Sequence, residues 1–126
     1  MAKYQMRDDV DAQYLPAQSS SLQGLYSFAY TITITNTGEV PAQVISRHWI
    51  ISNAMGEQEQ VKGLGVVGRQ PLLKPGEAFQ YTSGCRLHTA SGSMQGSYFC
   101  VAEDGERFEV AIPSFALDDG GTRVLH

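Results

Sequence analysis

The chain is predicted to be all-β, a two-sheet antiparallel sandwich of the immunoglobulin or fibronectin type III-like kind, with a small barrel as the alternative. Three observations predict it. Tyr26, Phe28, Tyr30, Ile32 and Ile34 alternate strictly with Ser27, Ala29, Thr31, Thr33 and Thr35, the period-two signature of a strand with one buried face. About seven such short runs follow one another, separated by turn residues, as sandwich strands do. No stretch shows the 3.6-residue periodicity of an amphipathic helix.

In chain order, residues 6–17 alternate weakly, with Val10, Ala12 and Tyr14 on one face, and Pro16 ends that strand or confines it to an edge. Gln18 to Ser21 is a polar loop. The threonine-rich strand at 26–35 closes at Asn36-Thr-Gly38, a turn. In the strand at 42–53, Trp49 shares a face with Ile45 and Ile51, so that face is expected to point inward. Arg47 has the same parity, so either a bulge rotates it outward or it is paired inside. Glu57 to Lys62 is a short polar strand. Leu73 to Glu77 is a turn, followed by a strand carrying Phe79, Tyr81, Ser83 and Cys85 on one face. From Gly92 to Ala102, Met94, Gly96, Tyr98 and Cys100 share a face. Asp104-Gly105 signals a hairpin into Phe108, Val110 and Ile112. Phe115 and Leu117 anchor the end, and residues 118–126 are expected to be a tail.

At 126 residues the chain suits one domain, with a core over roughly 6–117 and no need of metal or disulfide staples. Nine basic against 13 acidic residues give a net charge of −4, which argues against a binder of nucleic-acid backbone. No apolar run is long enough to insert into a membrane. The first residues lack the apolar core of a secretion signal, so the expected location is cytoplasmic, and Cys85 and Cys100 are expected to be free thiols.

Lys62 to Gly76 holds the residues with special backbone demands: Gly63, Gly65 and Gly68 in a G-x-G-x-x-G pattern, then Pro71 and Pro75. The dinucleotide version of that pattern needs a buried strand before it and a helix after it. Glu57 to Val61 is too polar for the first, and the prolines forbid the second. The expectation is a glycine-rich crossover between sheets, with a backbone anion nest as the competing possibility.

No catalytic constellation assembles. On an extended strand the spacing of three puts Cys85 and His88 on opposite faces. The paired acids at Asp8/Asp9, Glu103/Asp104/Glu106 and Asp118/Asp119 sit in expected turns or tails, and no metal-ligand spacing is present. No cofactor or metal is expected, and the chain is not expected to be an enzyme. The leading expectation is a binding module, monomeric or a weak homodimer, that docks a still unknown protein partner. Its surface is Arg47, His48, Gly63, Gly65, Gly68 and Arg69. The alternative is a small-anion, nucleotide or pyrophosphate binder using Gly63 to Gly68 with Arg69 nearby.

These residues also carry a resemblance. Arg47-His-Trp-Ile-Ile-Ser, Val61-Lys-Gly-Leu-Gly-Val-Val-Gly-Arg-Gln-Pro and Leu73-Lys-Pro-Gly-Glu-Ala-Phe-Gln-Tyr-Thr-Ser-Gly resemble the bacterial ApaG family, as do Gly92-Ser-Met-Gln-Gly-Ser-Tyr98 and Ile112-Pro-Ser-Phe-Ala-Leu117. The resemblance covers nearly the whole chain. It implies a small cytoplasmic immunoglobulin-like or fibronectin-type sandwich. It further implies an association with cobalt resistance and magnesium efflux, for which the name CorD is also used. Related eukaryotic domains, fused to F-box and polymerase-interacting proteins, resemble interaction modules. The resemblance brings no catalytic residues.

Overall fold

The computed structural model describes residues 2–120 and contains two antiparallel sheets. The first holds β1 (Met6–Tyr14), β2 (Tyr26–Asn36) and β6 (Ala78–Leu87), in the order β1-β2-β6. The second holds β3 (Ala42–Asn53), β4 (Gln58–Leu64), β7 (Ser91–Ala102) and β8 (Arg107–Asp118), in the order β4-β3-β7-β8, with the two-residue β5 (Leu72–Leu73) also paired to β3. This is the predicted immunoglobulin-like sandwich. Of the tail expected at 118–126, Asp118 is the last residue of β8, and 121–126 lie outside the described residues.

The alternation of β2 explains the packing. Phe28, Tyr30, Ile32 and Ile34 are buried in the core. On the outer face the Thr31 and Thr82 hydroxyls lie 2.8 Å apart, and Gln80 Nε2 donates to Thr33 Oγ1 at 3.0 Å. Between the sheets, Trp49 is 2% exposed and meets Tyr30 and Phe115 with ring centroids 5.4 and 5.9 Å away. The hydroxyls of Tyr81 and Tyr98 are 2.5 Å apart, so a hydrogen bond joins the sheets through the core. Burial raises the pKa of both phenols, which keeps them neutral donors and acceptors.

Two bulges shift the period-two pattern. The pairing of β3 with β7 slips between Val44 and Ser46, so Val44 takes the inner position and Ile45 is only half-buried. The expected face of Ile45, Trp49 and Ile51 is therefore corrected at its first member: the bulge turns Ile45 out of line. The β7–β8 register also slips, with Gly96 opposite Ile112 but Met94 opposite Phe115. The extra residue on β8 falls at Pro113-Ser114, where a proline's missing amide costs no ladder bond.

The crossing between sheets also differs from expectation. β4 and β5 both pair with β3, so the glycine-rich segment between them leaves the second sheet and returns to it. The Lys74–Glu77 turn makes the crossing, tied down by Asn36, which is 2% exposed. Asn36 Nδ2 donates to Val40 O and Leu73 O at 2.9 and 2.8 Å, and its Oδ1 accepts from Gly38 N at 2.8 Å. Its backbone accepts from Gly76 N and donates to Glu77 O. One buried side chain thus satisfies the groups where the two turns meet. Cys85, on β6, and Cys100, on β7, are free.

Candidate functional site

β4 and β5 are two collinear pieces of one edge strand, interrupted where β3 bulges. At the break, Gly65 N donates to Ile45 O at 2.7 Å and Val44 N donates to Pro71 O at 3.0 Å, so the ladder closes on both sides of the excursion. Two glutamines brace it: Gln70 Nε2 donates to Ile45 O at 3.0 Å, and Gln43 Nε2 to Gln70 O at 2.9 Å.

The three glycines have different roles. Gly63 is a residue of β4 rather than of the loop, paired with Arg47. A Cβ there would stand 2.8 Å from Arg47 Nη1, so glycine leaves the space that the guanidinium fills. Gly65, with φ 67°, is left-handed, and a Cβ on it would run into the Arg69 carbonyl. Gly68, with φ 79°, stands in open space at the tip. Arg47 resolves its own parity by pairing inside: Nη1 donates to Leu64 O and Gly65 O, both at 3.0 Å. It therefore clamps the base of the loop.

Above that base, Val66 N donates to Arg69 O at 2.7 Å and Arg69 N returns the bond to Val66 O at 3.0 Å. The two residues between, Val67 (φ 45°) and Gly68, are both left-handed, which is a type I′ hairpin turn. That turn favours Asn-Gly, because a β-branched residue at positive φ is strained. Val66 is fully buried and roots the loop in the core, while Val67 is 53% exposed at its tip. Leu64 at 75% and Leu72 at 60% flank it at the two ends of the excursion. The amides of Gly65, Val66 and Arg69 are all committed within the fold.

The outer face of the second sheet continues this surface. Lys62, His48, Ser97 and Ala111 lie opposite one another across β4, β3, β7 and β8, as do Leu64, Ser46, Phe99 and Glu109. Ser46, His48, Lys62, Leu64, Phe99 and Glu109 line a shallow hollow of about 470 Å³ there. His48 Nε2 is 3.0 Å from Gln60 Oε1. Arg47 thus meets Gly63 and Gly65 directly, His48 faces outward from the same strand, and Gly68 and Arg69 stand at the exposed tip. Residue patterns missed Leu64, Val67 and Leu72. Their signal was apolar side chains between glycines, where a turn ordinarily takes Asn or Asp.

Neither thiol is activated. Burial pushes the Cys85 thiol up to about 11 and the Cys100 thiol up to about 12, the opposite of an activated nucleophile. Among the described residues, no three His, Cys, Asp or Glu side chains are grouped to hold a metal ion, and no helix is long and apolar enough to cross a membrane.

Residues 16–102 match the family model of the ApaG domain. Protein ApaG of Acidovorax sp. (strain JS42) is 72% identical over 116 residues, covering 92% of this chain and 85% of that protein. Protein ApaG of Ralstonia nicotianae is 56% identical over 126 residues, the full length of both. Among solved structures, the putative ApaA protein from Bordetella pertussis superposes with a TM-score of 0.93 at 54% identity, covering 96% of this chain and 98% of that one.

Proposed function

The chain belongs to the ApaG family, and from that premise we propose that it is a non-enzymatic module of the cytoplasm that docks a protein partner through the loop of Gly65 to Gln70 and the adjoining sheet face. The observation that carries this is Val67. A β-branched side chain is held exposed at positive φ, where asparagine or glycine would be less strained, on a loop braced at its base by Arg47 and two glutamines. Strain that the surroundings hold in place belongs to sites more often than to scaffolding. Leu64, Val67 and Leu72 supply apolar contact, and Arg69 and His48 supply polar contact at its border. A rigid, preformed surface loses little entropy on binding. The cobalt and magnesium phenotype that the family resemblance implies is accommodated by docking to a protein that handles the ions.

The test is a photo-crosslinking residue placed at Leu72 in cells, with and without Val67→Asn. Val67→Asn should leave the fold as stable or more stable, by about 0.5–1 kcal/mol, since asparagine tolerates the left-handed turn. The crosslinked partner band should nevertheless be lost. A band that persists undiminished in Val67→Asn, and in Leu64→Ser with Leu72 crosslinking, contradicts the reading. The competing anion reading predicts instead that pyrophosphate raises the melting midpoint of the wild-type protein.

A further inference from the structure

The sandwich is closed on one side and open on the other. On the closed side β1 and β8 pack against each other. Each of these edges carries a known safeguard against pairing with a foreign strand: β1 turns Asp8 toward the interior, and β8 carries Pro113 at its bulge. On the open side lie β4 and β6, which contain no proline and pair without a register slip; β4 has one inward acid of its own, Glu59, which disfavours any added strand that brings no positive charge opposite it. Between them runs a groove of about 510 Å³, with Ile51, Val61 and Cys85 among its apolar lining, Glu57 and Glu59 on the β4 side, and Arg86 and His88 on the β6 side.

The inward positions of β4 read Glu59, Val61, Gly63, set opposite Ile51, Trp49 and Arg47 of β3. β4 is the last strand of its sheet, so its outer edge offers a row of backbone donors and acceptors. Glu59 is exposed, and among the described residues the two ion pairs, Lys3–Asp104 and Arg7–Asp9, lie elsewhere. The Glu57 carboxylate accepts from the Asn53 side-chain amide at 2.7 Å, and its backbone carbonyl accepts from Asn53 N at 3.0 Å.

We infer that the free edge of β4 accepts an extended segment of a partner protein as an added strand, carrying a basic residue and a β-branched or aromatic residue two positions apart. The spacing follows from the strand itself. Positions two apart share a face, so a lysine or arginine opposite Glu59 places the next inward side chain opposite Val61, over the groove. The backbone ladder supplies affinity and these two side chains supply selectivity. A net charge of −4 on this chain favours a basic segment over an acidic one. The site goes beyond the docking face proposed above, which uses Lys62 and Leu64, the opposite parity of the same strand.

The test begins with a phage-displayed library of random linear nonapeptides, panned on the wild-type protein and counter-panned on Glu59→Lys, a change at an exposed position. Enriched peptides should carry a basic and an apolar residue two apart. The strongest, made synthetically, should slow hydrogen exchange of the amides at 58–63. Its affinity should fall at least tenfold in Glu59→Lys, by less in Glu59→Gln, and recover in Glu59→Lys when the peptide's basic residue becomes glutamate. Val67→Asn should leave that affinity unchanged, so failure here and failure of the loop reading are separable. Equal enrichment on wild type and Glu59→Lys overturns the inference, as does binding that leaves β4 exchange unaltered or is indifferent to the charge swap.

Discussion

Asp8 is a carboxylic acid placed where its charge is poorly solvated. Its Oδ2 is buried without a hydrogen-bond partner, and desolvation, then the neighbouring Asp9 charge, raise its pKa from 3.8 to about 6. The fold therefore holds the proton more tightly than the unfolded chain does. The stabilisation from the protonated form is full below about pH 4 and is lost as pH rises through about 6. Asp8→Asn should raise the melting midpoint at pH 7.5 and leave it little changed at pH 4. A gain on the order of 1 kcal/mol is expected, since Asp8 is only part-buried and solvent screens the larger figure that the shift implies. Chemical denaturation across pH 4–8 checks this, and an Asp8→Asn curve parallel to wild type throughout contradicts it. The residue pattern read Asp8 as one of several solvated acids of turns and tails, whereas it lies within β1 with a buried carboxyl oxygen. β1 packs against β8, from the other end of the chain, a proximity that no local pattern encodes.

The element at the centre of the site is the interrupted edge strand. Its glycines were legible as backbone demands, and Pro71 and Pro75 correctly ruled out the helix of a dinucleotide fold. The sequence did not show that Gly63 serves the Arg47 side chain, because that relation is a cross-strand pairing over 16 residues. Nor did it show that the excursion returns to its own sheet, since glycine content is the same for a loop that crosses and one that comes back. Gly65→Ala should cost about 2 kcal/mol or more, beyond the ~1 kcal/mol of an unstrained change, because it adds both a left-handed alanine and a collision with the Arg69 carbonyl. Gly68→Ala, with open space around it, should cost less. Urea midpoints of the two variants decide the order, and Gly68→Ala as the more damaging change would contradict the assigned roles.

At the scale of the molecule, period-two alternation was enough to give the class and nearly every strand, because one buried face per strand is what a sandwich requires. The failure of parity fell at a bulge. Ile45 was placed on the inner face by parity, and one extra residue on β3 gave that place to Val44. Trp49 was placed correctly, and its three aromatic neighbours come from both sheets, so it couples them. Trp49→Ala should cost about 3–5 kcal/mol, the range for large aromatic truncations in cores. Equilibrium unfolding followed by far-UV circular dichroism measures it, and a loss under 1 kcal/mol would mean the sheets are held together elsewhere.

The excursion between β4 and β5 starts and finishes on one rail. Gly65 and Pro71 both bond to β3, and neither bond depends on how far the chain travels between them. Residues inserted between Val67 and Gly68 would then lengthen the tip without shifting any strand, and each doubling of the loop would cost only about 0.6 kcal/mol of closure entropy. Provided Val66 stays rooted in the core, the tip can vary in length and chemistry while the frame beneath it stays constant. That separation lets one scaffold acquire a new specificity by a single local insertion, and it makes this position the natural graft point for an engineered recognition loop.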